Sequence, residues 1–168
     1  MTDDVKKRLN VVLVAGGKYH DIDFARLELL KLLAEDDRIR TRVYEDYSNL
    51  HAISNADFLI TYTCDVRPTL EQQKVLRDFV ANGKRWLALH GTNSILQFLS
   101  DGRVDCPRVA PIFMETLGSQ FLSHPPIEPY TVKVADHDHH LVKGVEPFET
   151  TDELYLMETH GELHVLLE

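Results

Sequence analysis

The fold is decided by residues 85–94, which read Arg85-Trp86-Leu87-Ala88-Leu89-His90-Gly91-Thr92-Asn93-Ser94. A short apolar run ends at a histidine and a glycine, and the residues that follow are predicted to begin a helix. At such a strand-to-helix junction in an α/β sheet, unpaired backbone N–H groups and the helix dipole form a ligand-binding corner. The stretch therefore predicts an α/β fold with His90 at its ligand site.

Strand and helix patterns alternate on the amino-terminal side of this stretch. Helices are predicted to begin at the N-cap residues Asp23 and Thr69, and Gln72 completes a capping box with Thr69. The apolar runs predict strands over residues 10–15, 40–44, 56–62 and 86–89. This alternation predicts a three-layer α/β sandwich with a mostly parallel central sheet of flavodoxin-like kind. We expect the first and fourth strands to be near neighbours at its centre.

Beyond Ser94 the pattern is looser. Pro111 in a first turn predicts a helix over 111–117, and residues 123–129 form a proline-rich loop. Further strands are predicted over residues 130–134, 151–157 and 163–167. At 168 residues, the length suits one domain spanning 1–168. Because the chain ends inside an apolar run, we expect this domain to be truncated at its carboxyl end.

Composition excludes several classes of partner. A formal net charge of -9 opposes nucleic-acid binding, and no apolar run approaches the ~20 residues needed to cross a membrane. Residues 1–10 are charged and lack the apolar core of a signal peptide, so a cytoplasmic location is expected. Cys64 and Cys106 lie far apart without metal-ligand spacing and are interpreted as packing residues. The sequence leaves open whether the protein forms a homo-oligomer.

Five segments carry a family resemblance when they are taken in order. They are residues 14–17 with 19–21, residues 87–91, residues 121–127, residues 138–140 ahead of 142–144, and residues 151–155. Together they resemble the ThuA-like family, the trehalose-utilisation proteins with a class I glutamine amidotransferase-like fold. The resemblance implies a role in carbohydrate metabolism, with trehalose or a related glucoside or keto-sugar as substrate. It does not imply glutamine amidotransferase activity, because His90 occupies the elbow position of the Cys nucleophile.

Four residues are the predicted catalytic groups. His90 ends a strand, and an imidazole can act there as an acid, a base or a metal ligand. His20 follows the first strand, and His124 is held extended by the prolines after it. Glu153 is placed on the strand predicted over 151–157, facing the same way as Tyr155. We expect these side chains to form one polar pocket at the carboxyl edge of the sheet.

A second set of residues is predicted to bind the substrate. Neutral sugars are held by paired hydrogen bonds and by aromatic faces, which Tyr19 and Tyr155 supply. Gly17, Gly91 and Thr92 lie beside the histidines and complete the set. The chemistry expected of such a pocket is proton transfer next to a carbonyl or at a glycosidic oxygen, as in a hydrolase, lyase or isomerase.

Two alternatives stay open, and two other sites are disfavoured. The protein could be a non-catalytic sugar-binding or assembly module, or Zn²⁺ could lie between the histidines, since three N/O ligands and a water make a catalytic zinc site. Residues 136–140 are interpreted as a solvated turn, because neighbours on an extended chain point to opposite faces. NAD binding is rejected, because Gly16-Gly17 lacks the third glycine of a dinucleotide fingerprint.

Overall fold

The computed structural model describes residues 7–168; residues 1–6, the larger part of the charged amino-terminal segment, lie outside the described residues. By its internal contacts the chain divides into two compact units, with Leu117 ending the first and Gly118 beginning the second. The single domain over 1–168 stays a prediction.

The first unit is built on a parallel four-stranded sheet, as predicted. Its strands are β1 (Leu9–Gly17), β2 (Ile39–Tyr44), β3 (Phe58–Cys64) and β4 (Arg85–Leu89), in the order β2-β1-β3-β4. The expectation that the first and fourth strands are near neighbours is wrong, because β3 lies between them. Strand β1 has only two edges, and pairing with β2 and β3 uses both.

Helices cover both faces of this sheet, which confirms the three-layer α/β architecture. They are α1 (Ile22–Leu33), α2 (Leu50–Asn55), α3 (Leu70–Ala81) and α4 (Pro111–Leu117). Val11, Leu13 and Ala15 pack in one cluster with Leu33 of α1. The intervening residues of β1 point to the other face and join a second cluster that contains side chains of α2, α3 and α4. This alternation follows from the two-residue period of a strand.

Capping residues set where the two longer helices begin. Helix α3 has the predicted capping box between Thr69 and Gln72. The predicted N-cap of α1 is wrong: Asp21 is the cap, and its Oδ1 accepts a hydrogen bond from the Phe24 amide at 2.9 Å. Asp23 instead lies in the first turn, where its carboxylate accepts a hydrogen bond from Arg26 at 2.9 Å.

The helix expected after His90 is only one 3-10 turn, His90–Asn93. The Ser94 amide closes this turn by donating to the Gly91 carbonyl at 2.9 Å. The Leu96 amide then donates to the Asp65 carboxylate at 3.1 Å, which holds the chain in an extended path and ends the helical geometry. A short hairpin follows, formed by β5 (Gln97–Phe98) and β6 (Val104–Asp105).

The second unit contains two antiparallel strand pairs. Strand β7 (Ser119–Ser123) pairs with β10 (Leu156–Thr159), and β8 (Glu128–Val132) pairs with β9 (Phe148–Asp152). A 3-10 turn spans His140–Val142. The strand predicted over 151–157 is therefore wrong, because its ends belong to different sheets. The strand predicted over 163–167 is reduced to one bridge between Leu167 and Val134.

Two further features of residues 7–168 concern the cysteines and the helices. Both cysteines are buried and form no disulfide, consistent with packing roles. No helix in this part of the chain combines the length and the apolar character needed to cross a membrane.

Candidate active site

Backbone strain is concentrated at the carboxyl ends of three strands. Tyr19 follows β1 with a φ of 71°, Asp65 follows β3 with a φ of 55°, and His90 follows β4 with a φ of 48°. Within residues 7–168, these are the only non-glycine residues with positive φ. Such residues are costly and cluster at functional sites. The strain marks this edge of the sheet as the candidate active site.

The His20 and His90 rings meet at this edge. Their centroids are 4.3 Å apart with an interplanar angle of 58°, and both side chains are partly buried. The neighbouring ring is Tyr62, near the end of β3, which stacks on His90 at 5.7 Å and presents its edge to His20 at 6.3 Å. The intervening strand thus places its own aromatic residue beside both histidines.

Tyr62 is a site residue that sequence reasoning missed. It is the third last residue of β3 and pairs with Ala15 of β1 and Leu89 of β4. Its position near the carboxyl end of a central strand is the signal that could have found it, since ligands bind at that edge of α/β sheets.

The two predicted substrate-binding glycines, Gly17 and Gly91, allow close backbone approach. A Cβ on Gly17 would lie 1.9 Å from the Cys64 carbonyl oxygen, and the φ of Gly17 is 108°. A Cβ on Gly91 would lie 3.0 Å from both the Thr63 carbonyl oxygen and Cys64 Cβ. Both glycines therefore bring their loops against the end of β3. Their roles in substrate binding stay predictions.

The other two predicted binding residues of the first unit differ in exposure. Thr92 is buried, and its hydroxyl donates to the Leu89 carbonyl at 2.8 Å, which anchors the turn that carries His90. Tyr19 is 56% exposed, and its ring lies 5.6 Å from that of Phe98. Tyr19 thus offers an open aromatic face next to His20, whereas the geometry of Thr92 indicates a positioning role.

A cavity of about 340 Å³ lies at the carboxyl ends of β1 and β2. Arg26 in its wall donates to the Ala15 carbonyl at 2.9 Å and pairs with Asp23 at 2.9 Å. The carboxylates in the wall outnumber this one guanidinium, so the cavity has a negative balance. The wall of the cavity includes Gly17, His20, Asp21, Asp23, Arg26 and Glu45. His20 therefore belongs both to the histidine pair and to the cavity wall.

The second unit holds its own acid–base pair. His124 Nε2 lies 3.5 Å from Glu153 Oε1, and His124 Nδ1 lies 2.8 Å from the Pro125 carbonyl oxygen. The Phe121 ring contacts both His124, at 6.2 Å between centroids, and Tyr155, at 4.5 Å. Glu153 and Tyr155 lie in the irregular segment between β9 and β10, so their predicted placement on a strand is wrong.

The structure thus pairs His20 with His90 in the first unit and His124 with Glu153 in the second. Convergence of these residues on one pocket stays a prediction. Each of His20 and His90 offers a ring nitrogen within 4.8 Å of the other, so this pair could supply two ligands to a metal ion. A catalytic zinc site needs three protein ligands and a water.

Residues 136–140 form a turn without any buried side chain, in line with the interpretation as a solvated segment. The expectation that neighbouring side chains here point to opposite faces is wrong for His139 and His140, because their rings lie 4.6 Å apart. His139 is the N-cap of the 3-10 turn that begins at His140, so the two residues do not alternate along a strand. His164 Nε2 lies 2.7 Å from Asp136 Oδ2, and this hydrogen bond lowers the carboxyl pKa of Asp136.

Fold and site together define an α/β sandwich with a histidine pair at the carboxyl edge of a parallel sheet. The chain belongs to the ThuA family, because the family model described as trehalose utilisation matches residues 10–168.

Two solved structures share the fold. A ThuA-like protein from Bacteroides uniformis ATCC 8492 is 18% identical, with a TM-score of 0.75 over 96% of this chain and 67% of its own. A ThuA-like protein from Parabacteroides merdae ATCC 43184 is 17% identical, with a TM-score of 0.65 over 96% of this chain and 68% of its own. No curated protein matches the chain.

Proposed function

We propose that this ThuA-family protein is an enzyme that transfers protons to and from a neutral sugar, trehalose or a related glucoside or keto-sugar. The observation that carries the proposal is the contact between the His20 and His90 rings at the strained edge of the sheet. The family supports a carbohydrate-related role, and the geometry supports the type of chemistry.

Two adjacent imidazoles suit a reaction in which one proton leaves the substrate and another is delivered. A neutral imidazole removes a proton next to a carbonyl or from a water, and the protonated partner donates to the departing oxygen. No net proton is consumed, and the pair regains its starting state by exchanging protons with solvent. His90 is the first choice for the proton carrier because its ring stacks on Tyr62 and contacts His20, and these contacts orient it at the edge of the sheet.

The cavity beside His20 supports a neutral substrate. Its volume of about 340 Å³ accommodates a sugar ring, and its carboxylates can accept hydrogen bonds from sugar hydroxyls. Arg26 is already paired with Asp23 and held by the Ala15 carbonyl. A phosphate group would therefore meet uncompensated negative charge in this wall, so phosphorylated sugars are disfavoured.

His124 and Glu153 are proposed as a second acid–base pair for the same chemistry. A carboxylate 3.5 Å from an imidazole nitrogen can orient that ring and stabilise its protonated form. Tyr155 would contribute an aromatic face to the sugar. Replacing Glu153 by Gln and measuring turnover of the same neutral sugars tests this part of the proposal.

The decisive experiment compares turnover of trehalose, related glucosides, keto-sugars and their phosphorylated forms by the wild type and by His90→Asn. Asparagine retains a hydrogen-bonding group but cannot exchange protons near neutral pH. Turnover of the neutral substrate should fall by ~10²–10⁴-fold, with little change in affinity. His51→Asn is the matched control, because His51 lies on α2 and is exposed to solvent.

Other results of this experiment would support a different function or mechanism. Normal turnover by His90→Asn would refute the role of His90. Sugar binding without turnover by the wild type would favour a non-catalytic binding module. Loss of stoichiometric zinc together with activity in His90→Asn would favour the zinc variant. Preference for the phosphorylated sugar would contradict the charge argument.

A further inference from the structure

One carboxylate links the three loops that surround the histidine pair. Asp65 comes directly after β3, and its side chain is only 6% exposed. Its Oδ2 accepts a hydrogen bond from Lys18 Nζ at 3.0 Å, and its Oδ1 accepts from the Leu96 amide at 3.1 Å. Arg67 Nε lies 3.4 Å from the same Oδ1. A buried acid with three donors is rarely incidental, since each unpaired charge would be costly.

These contacts reach both histidine-bearing segments. Lys18 precedes His20 by two residues, and its amide also donates to the Cys64 carbonyl at 3.0 Å. On the other side, the Asp65 amide donates to the Ser94 carbonyl at 2.9 Å, immediately after the 3-10 turn that begins at His90. Arg67 closes the connection by donating to the Leu96 carbonyl.

We propose that Asp65 is a positioning residue that holds the His20 and His90 rings together by tying the loops after β1, β3 and β4 to one buried carboxylate. The contribution of Asp65 to catalysis rests on the proposed function, whereas its effect on the geometry of the two rings is independent of that function. Aspartate suits the position for two reasons: it tolerates the left-handed backbone better than most residues, and its two oxygens serve donors from opposite sides.

The electrostatics of Asp65 agree with this role. Burial raises the pKa of its carboxyl, but hydrogen bonds from Lys18, the Leu96 amide and Arg67 outweigh burial, so the pKa lies below its ordinary value. The same contact raises the pKa of the Lys18 ammonium. Both groups are therefore charged across the neutral range, and the connection between the loops persists wherever a histidine pair can exchange protons.

The test uses NMR of the full chain without ligand, at about pH 8, where imidazoles are mostly neutral and carboxylates are ionised. Ring protons of His20 and His90 should give a nuclear Overhauser cross-peak in the wild type. Asp65→Ala removes every side-chain contact and should abolish this cross-peak. Asp65→Asn keeps an acceptor for the Leu96 amide and should weaken the cross-peak without abolishing it.

Two controls separate positioning from general stability. Asp101→Ala removes a similar Asp–Arg pair from the hairpin region, where Asp101 accepts from the Arg103 amide at 3.1 Å and from its guanidinium at 2.8 Å. It should leave the His20–His90 cross-peak unchanged. The cross-peak between Tyr47 and Phe113, whose rings pack 5.5 Å apart in the core, should persist in every folded variant.

A folded Asp65→Ala protein with the wild-type His20–His90 cross-peak would overturn the proposal. If Asp65→Ala does not fold, Asp65→Asn provides the test. An unchanged His20–His90 cross-peak in Asp65→Asn would then overturn the proposal. Absence of sugar turnover in the wild type would count against the proposed function alone, because the ring contact is measured without substrate.

Discussion

Among individual residues, glycines are as important for the site as the histidines are. Gly17 ends β1 in a left-handed conformation, with its α-carbon against the Cys64 carbonyl. Any β-carbon there would push β1 away from the end of β3, where Tyr62 contacts both histidines. Gly17 is thus required by the geometry that brings His20 toward His90.

Gly17→Ala should destabilise the protein by about 2–5 kcal/mol, because a left-handed backbone costs ~1–2 kcal/mol and the clash adds ~1–3 kcal/mol. The matched control is Gly83→Ala, where φ is 78° but nothing lies within 4 Å of the added carbon. The control should lose only about 1–2 kcal/mol. Urea unfolding measures both values, and equal losses would show that the close approach at Gly17 relaxes cheaply.

At the scale of elements, the start of α1 determines where the loop carrying His20 ends. Asp21 caps the helix through the Phe24 amide, so His20 lies immediately before a fixed point of the chain. Asp23 makes an ion pair with Arg26, but its side chain is 89% exposed. The two acids, two residues apart, therefore differ in what they stabilise.

Asp21→Ala should cost roughly 1–2 kcal/mol, the typical loss of an N-cap. Asp23→Ala should cost roughly 0.5 kcal/mol, since an exposed ion pair contributes little. The two free energies of unfolding can be compared in the same urea titration. A larger loss in Asp23→Ala than in Asp21→Ala would contradict the assignment of Asp21 as the N-cap and would favour Asp23, the N-cap that the sequence pattern predicts.

Local signals explain why most elements of the first unit were predictable. The β-branched run of β1 and the capping box of α3 specify their own conformations, and the structure has both. The order of strands was not predictable in this way, because it depends on which edge of β1 each crossover reaches. The strand ends that carry His20 and His90 were predictable, but the sequence pattern did not show that β3 lies between β1 and β4 and places Tyr62 beside both rings.

The second unit was less predictable for a related reason. Alternation over 151–157 predicts one strand, but pairing is chosen by distant partners: β9 pairs with β8, and β10 pairs with β7. The chain must leave one sheet and enter the other, so the intervening residues Glu153 and Tyr155 cannot be in either. The sequence therefore identifies both residues as candidate site residues, but it does not predict the irregular backbone conformation that carries them.

At the scale of the whole molecule, acid stability should report on the connection through Asp65. The pKa of Asp65 is lower in the folded protein than the ordinary value of 3.8, so over that range the unfolded chain binds more protons. The stabilisation is therefore complete above about pH 4 and is lost as the pH falls through the folded-state value.

Stability measured by urea unfolding should accordingly fall below about pH 4 in the wild type and fall less steeply in Asp65→Asn, which cannot be protonated at this position. Asp46 and Asp136 also have lowered carboxyl pKa values, so part of the fall should remain in the variant. Identical slopes for the two proteins would show that the Asp65 contacts do not contribute to folding.

A neutral sugar bound against the His20–His90 pair would change the surroundings of both imidazoles. The decisive titration adds trehalose, related glucosides and keto-sugars to the protein while the imidazole NMR signals are observed. We expect saturable shifts of His20 and His90 with at least one neutral sugar, no comparable shift of His51, and weaker responses to the phosphorylated forms. Saturable binding that leaves both the His20 and the His90 signals in place would show that the sugar binds elsewhere.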